Sequence, residues 1–360
     1  MTNFNFEYEF EEKLIRDTVS DAFNKVSSPE IVREKINHTA INQSVQEFLG
    51  EQGMIGILSP RDKGLDMNLQ LTSIIVKEAG KRLVSFPVIE HLLGTYILKS
   101  DPTFQEDPYE TGEKIVTLSW NHSIQLNESN NEITISGSVE DIPFLDSVDA
   151  VIIPLHHKAL YIQKDLLLSN RMKLNGQDET YPLFKATLSN VPEDKGKVKL
   201  LSYDKDEFEK VSNLLITSEI LGLSQEVLSM TLDYANERKQ FGVPIGKFQA
   251  VKHMIADMHV YTESMDVSVR YGAWAIENDG EDKEIVATIA KAYTSDAIIQ
   301  VIEKGIQVHG GVGLTWEHDL HLYLKRAYRL LSMNNSIYEE REKVVKHLSQ
   351  FLLLEEKITN

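Results

Sequence analysis

The stretch Glu237-Arg-Lys-Gln-Phe-Gly-Val-Pro-Ile-Gly-Lys-Phe-Gln249 decides how this chain is interpreted, together with Gln307-Val-His-Gly-Gly-Val-Gly313 further along. The first stretch places a fixed cation at the end of an apolar-striped helix, before a turn that glycines permit and a proline restricts. The second places a side-chain amide beside a glycine pair, where the backbone can approach a ligand closely. Together they predict a site in which one half holds a phosphate and the other accepts a flat polar group.

Arg238 follows Thr231 by two helical turns, and Thr231 belongs to an apolar stripe. Helical spacing therefore predicts that Arg238 lies along the buried face, where an unpaired charge is costly. A guanidinium group suits a pyrophosphate because it donates two parallel hydrogen bonds. A structural ion pair with a carboxylate is the alternative for Arg238 alone. The turn and the aromatic residues Phe241 and Phe248 favour the nucleotide.

The glycines of residues 307–313 are not a Rossmann fingerprint, because no strand leads into them. Taken alone, they also fit a helix end followed by a turn. The presence of both stretches in one helical region favours the ligand-binding interpretation.

Composition limits the class of protein. The chain has 360 residues, of which 42% are apolar, enough for two or three domains. A net charge of −18 argues against nucleic acid or an anionic membrane as the main partner. The absence of cysteine excludes disulfides and thiolate chemistry and fits a cytoplasmic protein. The N-terminal segment is acidic rather than signal-like, and no apolar run is long enough to span a membrane.

Periodicity divides the chain into three parts. Residues 1–110 show helical spacing, as in Phe10, Leu14, Ile15 and Val19. Residues 111–202 contain short β-branched runs between turn residues, which predicts an antiparallel sheet or a small barrel. Residues 203–360 are helical again. The apolar stripes there are Leu221, Ser224, Val227, Leu228, Thr231 and Ala235, and then Ala290, Ala297, Val301, Gly305 and Val308. We therefore predict three domains with these boundaries.

The two C-terminal stretches resemble the dinucleotide-binding signatures of the acyl-CoA dehydrogenase family, and the likeness extends weakly to Gly53-Met-Ile-Gly56. The resemblance implies an α+β fold with an N-terminal helical domain, a middle β-barrel-like domain and a C-terminal four-helix bundle. It also implies FAD, held mainly by a neighbouring subunit. The residues that it assigns to the adenine and pyrophosphate end of FAD are Arg238, Gln240, Phe241, Ile245, Phe248, Gln307, Val308, Gly310 and Gly311.

The implied activity is FAD-dependent α,β-dehydrogenation of an acyl-CoA thioester. A carboxylate removes the α proton, the flavin accepts the β hydride, and an electron-accepting flavoprotein takes the electrons. The resemblance further implies a homo- or hetero-tetramer. Residues 316–327 look like the branch of the family that includes heteromeric steroid-side-chain enzymes.

The chain departs from the family pattern at the catalytic base. Asn334 stands where many members carry a glutamate, and an asparagine cannot abstract a proton. Ser212 stands at the position of the base in other members. Glu207 and Glu209 lie about a turn before Ser212, whereas Glu339 and Glu340 lie more than a turn beyond Asn334. The catalytic residue is therefore unassigned.

A second departure concerns the β domain. Thr117-Leu-Ser-Trp-Asn-His122 leads straight to the next strand, without the Thr-Glu-Pro…Gly-Ser-Asp loop that surrounds flavin and thioester in many members. Trp120 could stack on a flavin, although a lone tryptophan is more often part of the core.

These features predict a subunit that supplies half of an FAD site to a partner subunit, and the partner contains the catalytic base. The alternatives are a homo-oligomeric dehydrogenase with a relocated base at Glu207 or Glu209, a flavin oxygenase on the same fold, and a non-catalytic assembly or regulatory protein. No metal is expected, because His318 and His321 have no evident third ligand in the sequence.

Overall fold

The computed structural model describes residues 4–60, 67–104, 108–129, 132–194 and 196–358. Its helices are α1 Phe10–Val26, α2 Pro29–Glu34, α3 Gln43–Glu51, α4 Leu69–Lys81, α5 Val88–Ser100, α6 Asp165–Leu168, α7 Lys205–Glu237, α8 Gln249–Glu277, α9 Val286–His309, α10 Leu320–Leu331 and α11 Ile337–Ile358. Its strands are β1 Val116–Leu118, β2 Asn121–His122, β3 Gln125–Ser129, β4 Glu132–Pro143, β5 Ala150–Pro154, β6 Ala159–Gln163, β7 Arg171–Lys173, β8 Leu183–Pro192, β9 Val198–Leu201, β10 Lys239–Gln240 and β11 Val243–Pro244. The order of helices, then sheets, then helices confirms the predicted fold class.

The chain forms two compact units that are discontinuous in sequence. Residues 1–17, 69–83 and 210–360 form a helical unit, and residues 18–68 and 84–209 form a mixed unit. The helical unit includes α4 because that helix packs against the C-terminal helices. One contact of this kind is the hydrogen bond from the backbone N–H of Gln70 to the Glu277 carboxylate at 2.9 Å.

The mixed unit contains two sheets that share one apolar core. One sheet has the strand order β1-β5-β6-β9 and the other the order β2-β4-β8-β7, with β3 also paired to β4. The β1–β5 pair is parallel, whereas the other pairs of these sheets are antiparallel. The core side chains alternate along the strands, as in Ile135 and Val139 of β4 and Val151 and Ile153 of β5. The predicted short strands are confirmed, and only Ser119 and Trp120 separate β1 from β2.

A buried histidine lies in the mixed unit. Nδ1 of His91 lies 3.2 Å from both the N–H and the carbonyl of Val116, and Nε2 lies 3.0 Å from the Tyr109 carbonyl. Burial lowers the pKa of His91 to about 4, because a charged imidazole would lose its hydration there.

This pKa predicts a loss of stability in acid. As the pH falls through the unfolded-state value of 6.5, His91 of the unfolded chain takes up a proton, while His91 of the folded chain stays neutral until about pH 4. The contribution is therefore complete above pH 6.5 and is lost between pH 6.5 and 4, by about 3 kcal/mol in total. We expect His91→Gln to flatten the pH dependence of the unfolding free energy in this window. Equal slopes in both proteins would contradict the assignment.

The helical unit is built on α7, α8 and α9, with α10 and α11 after them. Both predicted apolar stripes are buried, which confirms the helical spacing. Small residues allow helices to approach closely: a Cβ on Gly222 would lie 2.0 Å from the Lys77 carbonyl oxygen, and one on Gly80 would lie 2.4 Å from that of Glu219. Helix α4 therefore packs with its backbone directly against α7. None of the helices in the described ranges combines the length and the apolar character that crossing a membrane would require.

Candidate functional site

The first signature, residues 237–249, forms a short hairpin directly after α7. Strands β10 and β11 pair in the register Lys239 to Pro244 and Gln240 to Val243. The two turn residues, Phe241 and Gly242, have φ angles of +51° and +81°. Positive φ at both positions matches the right-handed twist of a two-residue hairpin, although it is unusual for a phenylalanine. The backbone N–H of Ile245 donates to the Arg238 carbonyl at 2.8 Å and closes the hairpin.

The hairpin presents its side chains to the surface. Arg238 and Gln240 are exposed, Ile245 is half-buried, and Phe241 at the tip is 93% exposed. Phe248 is also exposed and lies edge-on to Phe241, with ring centroids 6.1 Å apart. The prediction that Arg238 lies along the buried face is therefore wrong. Helix α7 ends at Glu237, so the helical spacing counted from Thr231 no longer applies at Arg238.

The second signature, residues 307–313, contains the end of α9 and an open turn. Gln307 is exposed, whereas Val308 is buried, so of these two neighbouring side chains only the glutamine projects from the surface. Gly310 caps the helix with a φ of +64°, a conformation that favours glycine. A Cβ added to Gly310 or Gly311 would meet no atom within 4 Å. The turn therefore offers open backbone to a ligand.

Tyr234 and His309 connect the two signatures within the helical unit. Their rings stack with centroids 4.3 Å apart, and the Tyr234 hydroxyl donates to the His309 carbonyl at 3.5 Å. Nδ1 of His309 lies 2.8 Å from the Gly305 carbonyl. Burial lowers the pKa of His309, and the Gly305 carbonyl opposes this only in part. A neutral imidazole thus holds the last turn of α9 against the end of α7.

Position 334, where many members of the family carry the catalytic glutamate, is called the base position here and lies between α10 and α11. Asn334 has a φ of +63°, and its Nδ2 donates to Oδ1 of Asn213 at 2.8 Å. Nδ2 of Asn213 donates in turn to Oε2 of the buried Glu340 at 3.1 Å. Nζ of Lys291 donates to the carbonyls of Met333 and Asn335 at 2.8 and 2.9 Å, on either side of Asn334. The turn that carries Asn334 is therefore held from both sides.

Sequence spacing predicted that Glu340 lies more than a helical turn from Asn334. In the structure, however, both side chains form hydrogen bonds with the side-chain amide of Asn213. Ser336 and Glu339 form a capping box, in which the Glu339 carboxylate accepts from the Ser336 N–H at 2.7 Å and α11 begins at Ile337. This abrupt helix start turns Glu340 inward. The Ser-Ile-Tyr-Glu pattern at residues 336–339 was the signal that could have predicted it. Asn213 and Lys291 had no comparable signal.

The other candidate bases have different surroundings. Ser212 is fully buried, and its hydroxyl has no hydrogen-bond partner among the described residues. Glu209 pairs with Lys205 at 3.6 Å in the mixed unit. Glu207 lines a cavity of about 580 Å³ in the same unit, together with Pro60, Tyr96, Ser100, Ser202, Tyr203 and Asp204.

The histidines that suggested a metal site have protein partners. Nδ1 of His321 lies 2.6 Å from the His318 carbonyl, and its ring packs against Trp316. Within the described ranges no three His, Asp or Glu side chains form a group that could hold a metal ion.

Comparison with known proteins finds a matching domain family and similar sequences. Residues 210–334 match the model of the acyl-CoA dehydrogenase C-terminal domain. Acyl-CoA dehydrogenase FadE34 of Mycobacterium tuberculosis is 30% identical over 77% of this chain, which spans only 38% of that relative's length. Acyl-CoA dehydrogenase IpdE2 of Mycolicibacterium smegmatis is 28% identical over 88% of this chain and 92% of its own length.

The fold is also that of known members. One chain of the ChsE4-ChsE5 complex from Mycobacterium tuberculosis superposes with a TM-score of 0.84 at 18% identity, over 96% of this chain and 99% of the other. Identity at that level shows a common fold. From the sequence match we conclude that residues 210–334 form an acyl-CoA dehydrogenase C-terminal domain, and the chain as a whole is similar in sequence and fold to members of that family.

Proposed function

We propose that this chain is one subunit of a heteromeric, FAD-dependent acyl-CoA dehydrogenase and supplies half of an FAD site to a partner that carries the catalytic carboxylate. One contrast carries the proposal. The signature residues Arg238 and Gln307 point outward beside an open glycine turn, whereas the base position holds an amide that is hydrogen-bonded into the protein interior.

The outward-facing residues suit the adenine and pyrophosphate end of FAD. Among the described residues, the Arg238 side chain has no ion pair or hydrogen bond, so its two parallel N–H groups are available to a pyrophosphate. The Gln307 amide can donate and accept, and Gly310 and Gly311 let a ligand approach the backbone. Because these groups face away from the core of their own chain, they suit a cofactor that a neighbouring chain holds.

The reaction needs a proton acceptor that this chain lacks at the family positions. FAD, when bound, accepts the hydride from the β carbon of the thioester. A carboxylate within hydrogen-bond reach must take the α proton. Asn334 has no basic atom, and Ser212 is a buried hydroxyl. We therefore assign the base to the partner subunit and expect the electrons to leave through an electron-accepting flavoprotein. The ChsE4-ChsE5 structure, a complex in which the matched chain has this fold, supports the heteromer.

Flavin content tests the proposal. The visible absorption spectrum should show little flavin for the chain purified alone, and close to a full site after co-expression with a homologous dehydrogenase chain from the same source. The co-purified complex should oxidise an acyl-CoA. One flavin per chain in the isolated protein, with turnover, would contradict the half-site.

A homo-oligomeric dehydrogenase with a relocated base is the second candidate, because Glu207 lines a cavity of about 580 Å³. In that case Glu207→Gln should abolish turnover by the isolated chain. Glu209→Gln is the matched control, since Glu209 pairs with Lys205. Unchanged rates in both variants would exclude this candidate.

A further inference from the structure

We propose that Glu340, acting through Asn213, makes position 334 require a hydrogen-bond donor, so that this chain closes its own base position with a buried polar relay. The relay consists of Asn334, Asn213 and Glu340. The interpretation that the relay replaces a catalytic group rests on the proposed function. The hydrogen bonds of the relay do not depend on it.

The chemistry of the relay fixes its direction. Nδ2 of Asn213 is the donor, and it donates to the carboxylate oxygen Oε2 of Glu340 at 3.1 Å. The carbonyl oxygen of Asn213 is then turned towards residue 334. That oxygen accepts from Nδ2 of Asn334 at 2.8 Å. Through Asn213, Glu340 therefore determines that residue 334 must offer a hydrogen-bond donor.

A glutamate at position 334 would conflict with this arrangement in two ways. Its ionised oxygens would face the Asn213 oxygen, which leaves buried acceptors without a donor. It would also place a second carboxylate near Glu340, where like charges disfavour ionisation. The left-handed φ of +63° adds to the preference, because asparagine adopts this conformation more readily than glutamate.

The surroundings leave little room for the relay to rearrange. Asn213 is buried at 2% exposure, and Glu340 is fully buried. Lys291 holds the carbonyls on both sides of Asn334, so the turn cannot simply move away. Nζ of Lys343 lies 3.5 Å from Oε1 of Glu340, on the side of the carboxylate away from Oε2.

A pair of substitutions that reverses the relay tests the proposal. In Asn334→Glu, the thermal midpoint of the chain purified alone should fall by about 5 °C. In Asn334→Glu combined with Glu340→Gln, Asn213 can turn over, accept from Gln and donate to the new carboxylate. We expect this double variant to recover at least half of the loss. Asn334→Glu combined with Glu342→Gln is the matched control, because Glu342 is exposed on the same helix, and it should recover nothing.

The pH profile separates the relay from a general packing effect. A protonated glutamate at 334 can donate to Asn213, so the penalty of the single variant should be smaller at pH 5.5 than at pH 8. The double variant should lack this dependence. The proposal is overturned if the single variant loses no stability, if its penalty is equal at both pH values, or if the two double variants behave alike. None of these results depends on flavin or partner binding, so a failed half-site is distinguished from a failed relay.

Discussion

Replacing Arg238 with glutamine should weaken FAD binding by the oligomer about 10- to 100-fold. The estimate follows from the loss of charge-assisted hydrogen bonds to a pyrophosphate, worth about 1.5–3 kcal/mol. The variant should fold normally, because the side chain is exposed and the hairpin is held by backbone bonds such as Ile245 N–H to the Arg238 carbonyl. Titration of the flavin-free complex with FAD, followed by flavin fluorescence, measures the change.

Lys239 provides the matched control, since it is the next residue, carries the same charge and is also exposed. Lys239→Gln should change FAD affinity little. Arg238→Lys should fall between the two, because it keeps the charge and loses the paired N–H groups. If the glutamine variants at 238 and 239 weaken binding equally, only the general charge of the hairpin matters, and Arg238 is not a specific ligand.

Replacing Glu219 with glutamine should reduce the unfolding free energy of the helical unit by about 3 kcal/mol or more. Oε1 of Glu219 lies 2.8 Å from Nη1 of Arg326 and 3.7 Å from Nη2 of Arg329. Arg326 is 1% exposed, and the side chains of Glu219 and Arg329 are each 7% exposed. Glutamine keeps the volume and removes a negative charge that both guanidinium groups face. Denaturant unfolding of the wild-type and variant proteins measures the difference.

Asp257 supplies the control for this second experiment. It pairs with Lys304 at 3.1 Å, but its side chain is 58% exposed, so Asp257→Asn should change stability by less than about 1 kcal/mol. A similar loss in both variants would mean that burial does not strengthen the Glu219 cluster.

The proposed FAD half-site shows which structural features sequence patterns can predict. Glycines and a proline after an apolar stripe predicted a tight turn at residues 240–246, and the hairpin is there. The same spacing argument predicted a buried Arg238, which is wrong because the helix ends one residue earlier. Periodicity describes a helix only as far as the helix continues, and its last residue depends on local backbone hydrogen bonds that the pattern does not encode.

At the base position, the sequence revealed the chemistry of a residue but not its contacts. The sequence showed that Asn334 replaces the expected glutamate, because residue chemistry is readable without coordinates. It could not show that Asn334 and Glu340 meet at Asn213, since that contact joins residues more than a hundred positions apart in the chain. Nor did it indicate that Lys291 holds the turn.

The sequence by itself therefore determined the succession of helices, strands and helices and the similarity to acyl-CoA dehydrogenases. It also predicted the two ligand-binding signatures and showed that Asn334 stands where a glutamate is expected. These follow from local periodicity and from the chemistry of single residues. Only the tertiary structure decided which side chains face outward and which share a buried hydrogen bond. Burial and pairing depend on helix ends and on packing between distant segments, and they are settled only when the whole unit folds.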